Sequence, residues 1–302
     1  MITGQDASRR GRHSIMSRAL EPVTSVVRKI RKAASTNPEV TVEAVIGKLY
    51  VRYRGWRNPL TTCVNGRTVK IHHRGTEADL FAVWQCFYKS QYELPRPRWH
   101  PAAHRDALQR KYQAIVARHK TPLIIDCGAY IGVSSLWFAA RFPQARIVAI
   151  EPAPDNARLL RQNAQGHQIE VIEAGVGAEE EMLALVDSGN GTMGYRTIGA
   201  PEAICQVPIV PLRTVLAGNP EPEYEPLILK VDIEGSEKPL FASTRWEDLD
   251  RFPVIILEEH DFMMPGLSTG STFFEYHARR ERDFLFVHEN VFSIDYRRLV
   301  EP

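Results

Sequence analysis

The chain has 302 residues, 44% of them hydrophobic and 25% charged, with a formal net charge of +2 and four cysteines. That length holds one large α/β domain with an extension, or two small domains, and the composition is ordinary for a soluble globular protein. There is no run of about 18 uncharged apolar residues, no apolar signal-peptide core at the N-terminus, and no Cys-x-x-Cys pair among Cys63, Cys86, Cys127 and Cys205. A transmembrane helix, a disulfide framework and a zinc site are therefore not expected, and the thiols read as reduced in a cytosolic, cytoplasmic protein.

Charge is distributed unevenly. Residues 1 to 32 hold eight basic and two acidic residues, a net of +6, which leaves about −4 for the remainder. Residues 1–38 read as a flexible basic tail ending at Asn37-Pro38. The stretch from Val23 to Ile30 offers a short amphipathic helix and with it a peripheral membrane contact. Residues 39–120 read as an accessory α+β region. Asn65-Gly66 between β-rich runs predicts a hairpin. Residues 77–92 and 102–119 show helical apolar spacing, with the proline-punctuated LPRPRWHP between them.

From residue 121 to 302 strands and helices alternate. LIIDC, ARIVAIEP, IEVIEAGVG, LILKVDI and PVIILEEH predict strands. VSSLWFAARF, DNARLLRQNA, LRTVLAG, SEKPLFAST and STFFEYHARRERD predict helices. EMLALVD and AICQVPIVP predict two further strands around the Gly-rich loop SGNGTMGYRTIG, and FLFVHEN with FSIDYRRL predicts a closing hairpin. This alternation predicts a doubly wound, mostly parallel sheet with helices on both faces.

Open α/β sheets bind ligands outside the carboxyl ends of their strands. The first such end reads Asp126-Cys-Gly128-Ala-Tyr130-Ile-Gly132, a Gly-x-x-x-Gly spacing rather than the dinucleotide fingerprint. The second ends in Glu151-Pro152, 25 positions after Asp126. Glu151 is placed to accept bonds from both ribose hydroxyls of an adenosine, or to cap the helix beginning near Asp155. A third end carries Lys230, Asp232, Glu234, Gly235 and Glu237, and the next strand runs into Glu258, Glu259 and His260.

DCGAYIGVSS, EPAPDNARLLRQN, LKVDIEGSE and VIILEEH together resemble the FkbM family of S-adenosylmethionine-dependent methyltransferases, over about residues 65 to 298. KIHHRGTEADLFAVWQCFYKSQYEL is similar to the segment before that family's catalytic domain, where Arg74, Thr76 and Asp79 stand in the region of an Arg-x-x-x-(Ser/Thr)-Asp-like turn. The resemblance implies a seven-stranded, Rossmann-like class I methyltransferase sheet in residues 121–302. It implies S-adenosyl-L-methionine as cofactor, with Asp126, Gly128 and Gly132 at its methionine part and Tyr130 in the same loop. Glu151 would hold the ribose, Pro152 and Asn156 would shape the adenine side, and Gly175 would border the nucleoside.

Methyl transfer to oxygen needs positioning and an acceptor for the hydroxyl proton. Asp232 is the first candidate for base or substrate anchor, and Glu234 is the second. Lys230 would pair with the acids or hold an acceptor oxygen. Glu237 would meet substrate or favour a helix N-terminus. Strand alternation puts Glu258 and His260 on one side, with His260 a further candidate base. Asp232, Glu258 and His260 form a candidate divalent-cation set. Tyr195 and Arg196 in the Gly-rich loop are candidate substrate contacts, or residues of a solvated loop. The resemblance implies an O-methyl acceptor, with a sugar hydroxyl of a glycan or glycosylated small molecule the leading class. An NAD-dependent sugar oxidoreductase or epimerase and a non-catalytic nucleoside-binding module are the alternatives. No interleaved basic and aromatic surface points to nucleic acid.

Overall fold

The computed structural model describes residues 57–95, 103–187, 195–198 and 204–301. The expected basic tail, its short helix and the strand-like runs before Arg57 lie outside the described residues.

Strands β1 (Leu60–Val64) and β2 (Arg67–Ile71) pair antiparallel through Asn65-Gly66. Both turn residues have positive φ, 49° and 77°, which is the backbone that a two-residue hairpin turn demands and that Asn-Gly supplies. Helix α1 (Glu77–Phe87) starts where the Thr76 hydroxyl accepts from the Asp79 N–H. Helix α2 (Ala103–Ala117) buries Ala107, Leu108, Lys111, Tyr112 and Ile115, a stripe of helical period.

The main sheet has seven strands. In chain order they are β3 (Thr121–Cys127), β4 (Arg146–Ile150), β5 (Ile169–Ile172), β10 (Tyr224–Val231), β11 (Val254–Glu258), β12 (Asp283–Val287) and β13 (Asn290–Ile294). Their spatial order is β12-β13-β11-β10-β3-β4-β5. The run from β11 to β5 is parallel, while β13 pairs antiparallel with both β11 and β12. The run LILKV is buried throughout, as parallel strands covered on both faces must be. Helices α3 (Val133–Arg141) and α4 (Pro154–Ala164) make the first two crossovers. Leu123, Ile125, Val148, Leu229, Ile255 and Phe273 share one core cluster. Each such side chain, fully buried, contributes about 1.5–3 kcal/mol relative to exposure.

Three expectations change. IEVIEAGVG is not one strand: β5 stops at Ile172, and β6 (Gly175–Gly177) pairs with β9 (Cys205–Pro211) in a second, four-stranded sheet ordered β6-β9-β7-β8. The Ala174 N–H bonding Ile172 O bends the chain between them. Tyr195 and Arg196 begin β8 (Tyr195–Ile198), paired with β7 (Glu181–Asp187), rather than lying in a loop. The closing strand FSIDYRRL is cut at Asp295, whose carboxylate accepts from the Arg298 N–H and starts a helix at Tyr296–Val300.

The remaining helices are α5 (Leu212–Ala217), α6 (Glu237–Ser243), α7 (Trp246–Asp250), α8 (Ser271–Ala278) and α9 (Tyr296–Val300). The hairpin and α1 pack on α3, and α2 packs on β3 and α9.

Candidate functional site

A cavity of about 380 Å³ opens at the carboxyl ends of β3, β4, β10 and β11, with α1 over it. Its size falls within the range of small-molecule sites, roughly 300–1,000 Å³. Gly128, Tyr130, Glu151, Pro152, Asn156 and Gly175 line it, as do Lys230, Asp232, Glu234 and Glu258.

At one end the polar groups are satisfied. Gly128 has φ +76°, and a Cβ there would lie 1.7 Å from the Asp232 carbonyl oxygen. Only glycine lets the loop after β3 cross the end of β10 so closely. The Gly128 and Ala129 N–H groups both donate to Ile150 O at 3.0 Å. Glu151, 5% exposed, accepts from Tyr130 N at 2.9 Å, Ala153 N at 3.0 Å and Asn156 Nδ2 at 3.1 Å. Burial raises its carboxyl pKa, and these bonds oppose the rise. It therefore braces the loop while lining the cavity; the helix that starts at Pro154 has no side-chain cap bond, so the capping role is not seen.

This network reaches into the accessory region. Arg74 donates to both oxygens of the fully buried Asp79, to Asn156 Oδ1 at 2.9 Å and to the Tyr130 hydroxyl at 2.9 Å. Tyr130 donates to Asp79 Oδ1 at 2.5 Å. Burial alone would raise the Asp79 pKa, but the bonds from Arg74 and Tyr130 outweigh it and hold the carboxyl below its usual range.

Two expected cofactor contacts are corrected. Asp126 is fully buried and is no part of the cavity wall. Its Oδ2 accepts from Ser134 Oγ at 2.7 Å and Ser135 Oγ at 2.6 Å, and its Oδ1 lies 3.1 Å from Lys230 Nζ. Gly132 is a packing glycine: its φ is +86°, and a Cβ would lie 2.5 Å from Leu160 Cδ1.

The other end is acidic. The parallel register sets Lys230 beside Asp126. The Lys230 ammonium lies 3.2 Å from Asp232 Oδ2 and donates to Gly128 O at 2.7 Å and Cys127 O at 3.3 Å. It ties the strand ends together and pairs with the acids, the first of the two roles the sequence offered, while also lining the cavity. Glu237, expected near substrate, is fully buried beneath the turn. Its Oε1 accepts from Ile233 N and Gly235 N, each at 3.2 Å, and lies 2.8 Å from His260 Nδ1. Glu234 and Gly235, at φ +54° and +96°, make the left-handed turn that brings Glu234 back toward His260.

His260 lies beyond the end of β11, so strand alternation does not set its direction. It is 2% exposed, with Nε2 3.6 Å from Asp232 Oδ1 and 4.0 Å from Glu234 Oε2. Donor atoms of Asp232, Glu234 and His260 lie within 4.8 Å of one another. Glu258, expected in the candidate cation set, is not in this group, and Glu234 stands in it.

Burial and the Asp232 charge push Glu234 up to about 7 and Glu258 up to about 8. Burial would lower His260, but the Glu237 bond and the charges of Asp232, Glu237 and Glu234 prevail and raise it to about 10.

The sequence reading missed Phe81, Gln85, Gln91, Tyr92, Phe262 and Glu289, which also line the cavity. The aromatic-rich stretch around α1 was the one signal for Phe81, Gln85, Gln91 and Tyr92; Phe262 and Glu289 had none. Gln91 is 3% exposed, and its Oε1 accepts no hydrogen bond among the described residues.

The family model described as the methyltransferase FkbM domain matches residues 126–296. The chain is 27% identical to Methyltransferase 1 of Beauveria bassiana over 158 residues, 45% of this chain and 63% of that protein. It is 48% identical to methyltransferase sdnD of Sordaria araneosa over 42 residues, 14% of this chain and 16% of that protein. The matches span less than two thirds of either relative. Among solved structures, the SAH-bound methyltransferase PaMTH1 of Podospora anserina aligns at 15% identity and a TM-score of 0.34, covering 70% of this chain and 86% of that one. A methyltransferase from Geobacter sulfurreducens aligns at 15% identity and a TM-score of 0.32, with the same coverages.

Proposed function

This chain belongs to the methyltransferase FkbM family, and we propose that it methylates an oxygen of a small molecule or glycan from S-adenosylmethionine, with a sugar hydroxyl the leading acceptor class. One observation carries this reading. A single cavity joins the braced Glu151 at one end to Asp232, Glu234 and Glu258 at the other.

The residues at the first end suit the cofactor. Gly128 leaves room beside the main chain, Glu151 is held where a ribose diol can donate to it, and Pro152, Ala174 and Val176 supply apolar wall. Bound there, the cofactor supplies a methyl group already activated by its sulfonium. The protein's part is orientation, exclusion of water and removal of one proton.

At the second end Asp232 is 23% exposed in the wall and held by Lys230, so it can take the acceptor's proton or anchor its oxygen. Gln85, Gln91, Glu258 and Glu289 add polar groups, while Phe81, Tyr92 and Phe262 add aromatic faces. That mixture of hydrogen-bonding groups and flat apolar surface suits a polyhydroxylated ring. The test is transfer of a labelled methyl group to a panel of glycosides, phenols and amines. Incorporation into glycosides is the expected result. Labelling confined to amines or phenols would reject the sugar reading.

A further inference from the structure

We infer that Asp232, Glu234 and His260 bind one divalent metal ion, of the Mn²⁺ or Zn²⁺ kind, at the acceptor end of the cavity. The ion's role rests on the methyl-transfer reading, but its binding does not.

The first argument is His260. It is 2% exposed, and its Nε2 makes no hydrogen bond, since Asp232 Oδ1 at 3.6 Å and Glu234 Oε2 at 4.0 Å stand beyond hydrogen-bond range. Glu234 Oε2 is buried without a hydrogen-bond partner among the described residues. Both atoms border the same gap, with a donor atom of Asp232 within 4.8 Å of each. Two donors about 2.1 Å from a shared ion stand roughly 3–3.5 Å apart, so the His260 separations of 3.6 and 4.0 Å need to close by at most about 1 Å on an ion.

The second argument is what stands behind the ring. His260 Nδ1 is 2.8 Å from Glu237, a fully buried carboxylate that also accepts from Ile233 N and Gly235 N. Glu237 therefore cannot swing away, and it fixes the ring with Nε2 toward the gap. A carboxylate on the far nitrogen is the usual support of a metal-binding histidine. On the other side the His260 carbonyl is tied to the Met263 and Met264 N–H groups.

The third argument is charge. Asp126, Asp232, Glu234, Glu237 and Glu258 crowd this end, and among the described residues Lys230 and His260 are the cationic groups that face them. Buried charge of one sign calls for compensation. One imidazole with two carboxylates suits Mn²⁺ or Zn²⁺. Three protein ligands leave positions open, as catalytic rather than structural sites do. An acceptor oxygen in such a position would be both held and acidified.

The experiment uses the full chain stripped with chelator. MnCl₂ is titrated with free Mn²⁺ read by electron paramagnetic resonance, and ZnCl₂ is titrated by calorimetry. S-adenosylhomocysteine binding is measured on every variant. The expected result is one saturable equivalent of at least one ion. His260→Ala and Asp232→Asn should abolish it, Glu237→Gln should weaken it about 10- to 100-fold, and Glu258→Gln should shift it less than about threefold. Absence of saturable binding to the stripped wild type, or binding unaltered by His260→Ala, overturns the site. S-adenosylhomocysteine binding without metal binding removes this inference alone. Metal binding without S-adenosylhomocysteine binding removes the methyl-transfer reading alone.

Discussion

The two ends of one cavity are built on opposite plans. Around Glu151 every carboxylate oxygen is met by an N–H, and the buried Asp79 is neutralised by Arg74. Around Asp232 carboxylates outnumber cations, and Glu234 Oε2 and Glu237 Oε2 are buried without hydrogen bonds. The contrast teaches what each end awaits. A satisfied, rigid wall selects a ligand by shape and a few bonds. A charge-rich wall with idle acceptors is completed by what binds there.

The strongest way to sharpen this contrast is Asp232→Asn. Methyl transfer should fall about 10²- to 10⁴-fold in a labelled-methyl assay, the range of a lost acid–base group. Affinity for S-adenosylhomocysteine should move less than about threefold by calorimetry. Equal losses in both would erase the division between the ends.

Gly128→Ala attacks the point where the two ends touch. Its Cβ would lie 1.7 Å from the Asp232 carbonyl oxygen at a φ of +76°. A destabilisation of about 3 kcal/mol is expected in urea unfolding. A loss below about 1 kcal/mol would mean that the loops separate freely.

Arg74→Leu tests the satisfied end alone. It strands Asp79, fully buried, while Arg74 itself is 27% exposed at its side chain. The expected loss is therefore below that of a fully buried pair, about 2 kcal/mol of stability, with weaker S-adenosylhomocysteine binding through Tyr130 and Asn156. Unchanged binding would show that the Arg74 network does not brace the Glu151 end of the cavity. The smallest effect belongs to Ser134→Ala, about 1 kcal/mol by the same unfolding measurement, because Asp126 keeps Ser135 and Lys230.

Much of the sheet was legible because its signals are local. Asn65-Gly66 specifies its own turn, buried runs specify parallel strands, and Glu151 sits at a strand end by count alone. The departures arise where direction is set by a distant partner. Asp126 turns inward because Ser134 and Ser135, in the first turn of α3, and Lys230, on the neighbouring strand, draw it there. Glu234 reaches the His260 gap through a left-handed turn, and Glu258 is left out of the donor set. Helical spacing announced α1 but not that its Phe81, Gln85 and Cys86 roof the cavity. The link from Arg74 through Asp79 to Tyr130 joins residues 51 to 56 positions apart, and no local pattern announces it.

The most direct measurement is calorimetric titration of the full chain with S-adenosylhomocysteine, with NAD in parallel and Glu151→Ala beside the wild type. Saturable binding of S-adenosylhomocysteine without NAD binding, weakened at least tenfold by Glu151→Ala, is the expected result. Binding of NAD instead, or no binding of S-adenosylhomocysteine by a folded wild type, would contradict the assignment of this cavity to methyl transfer.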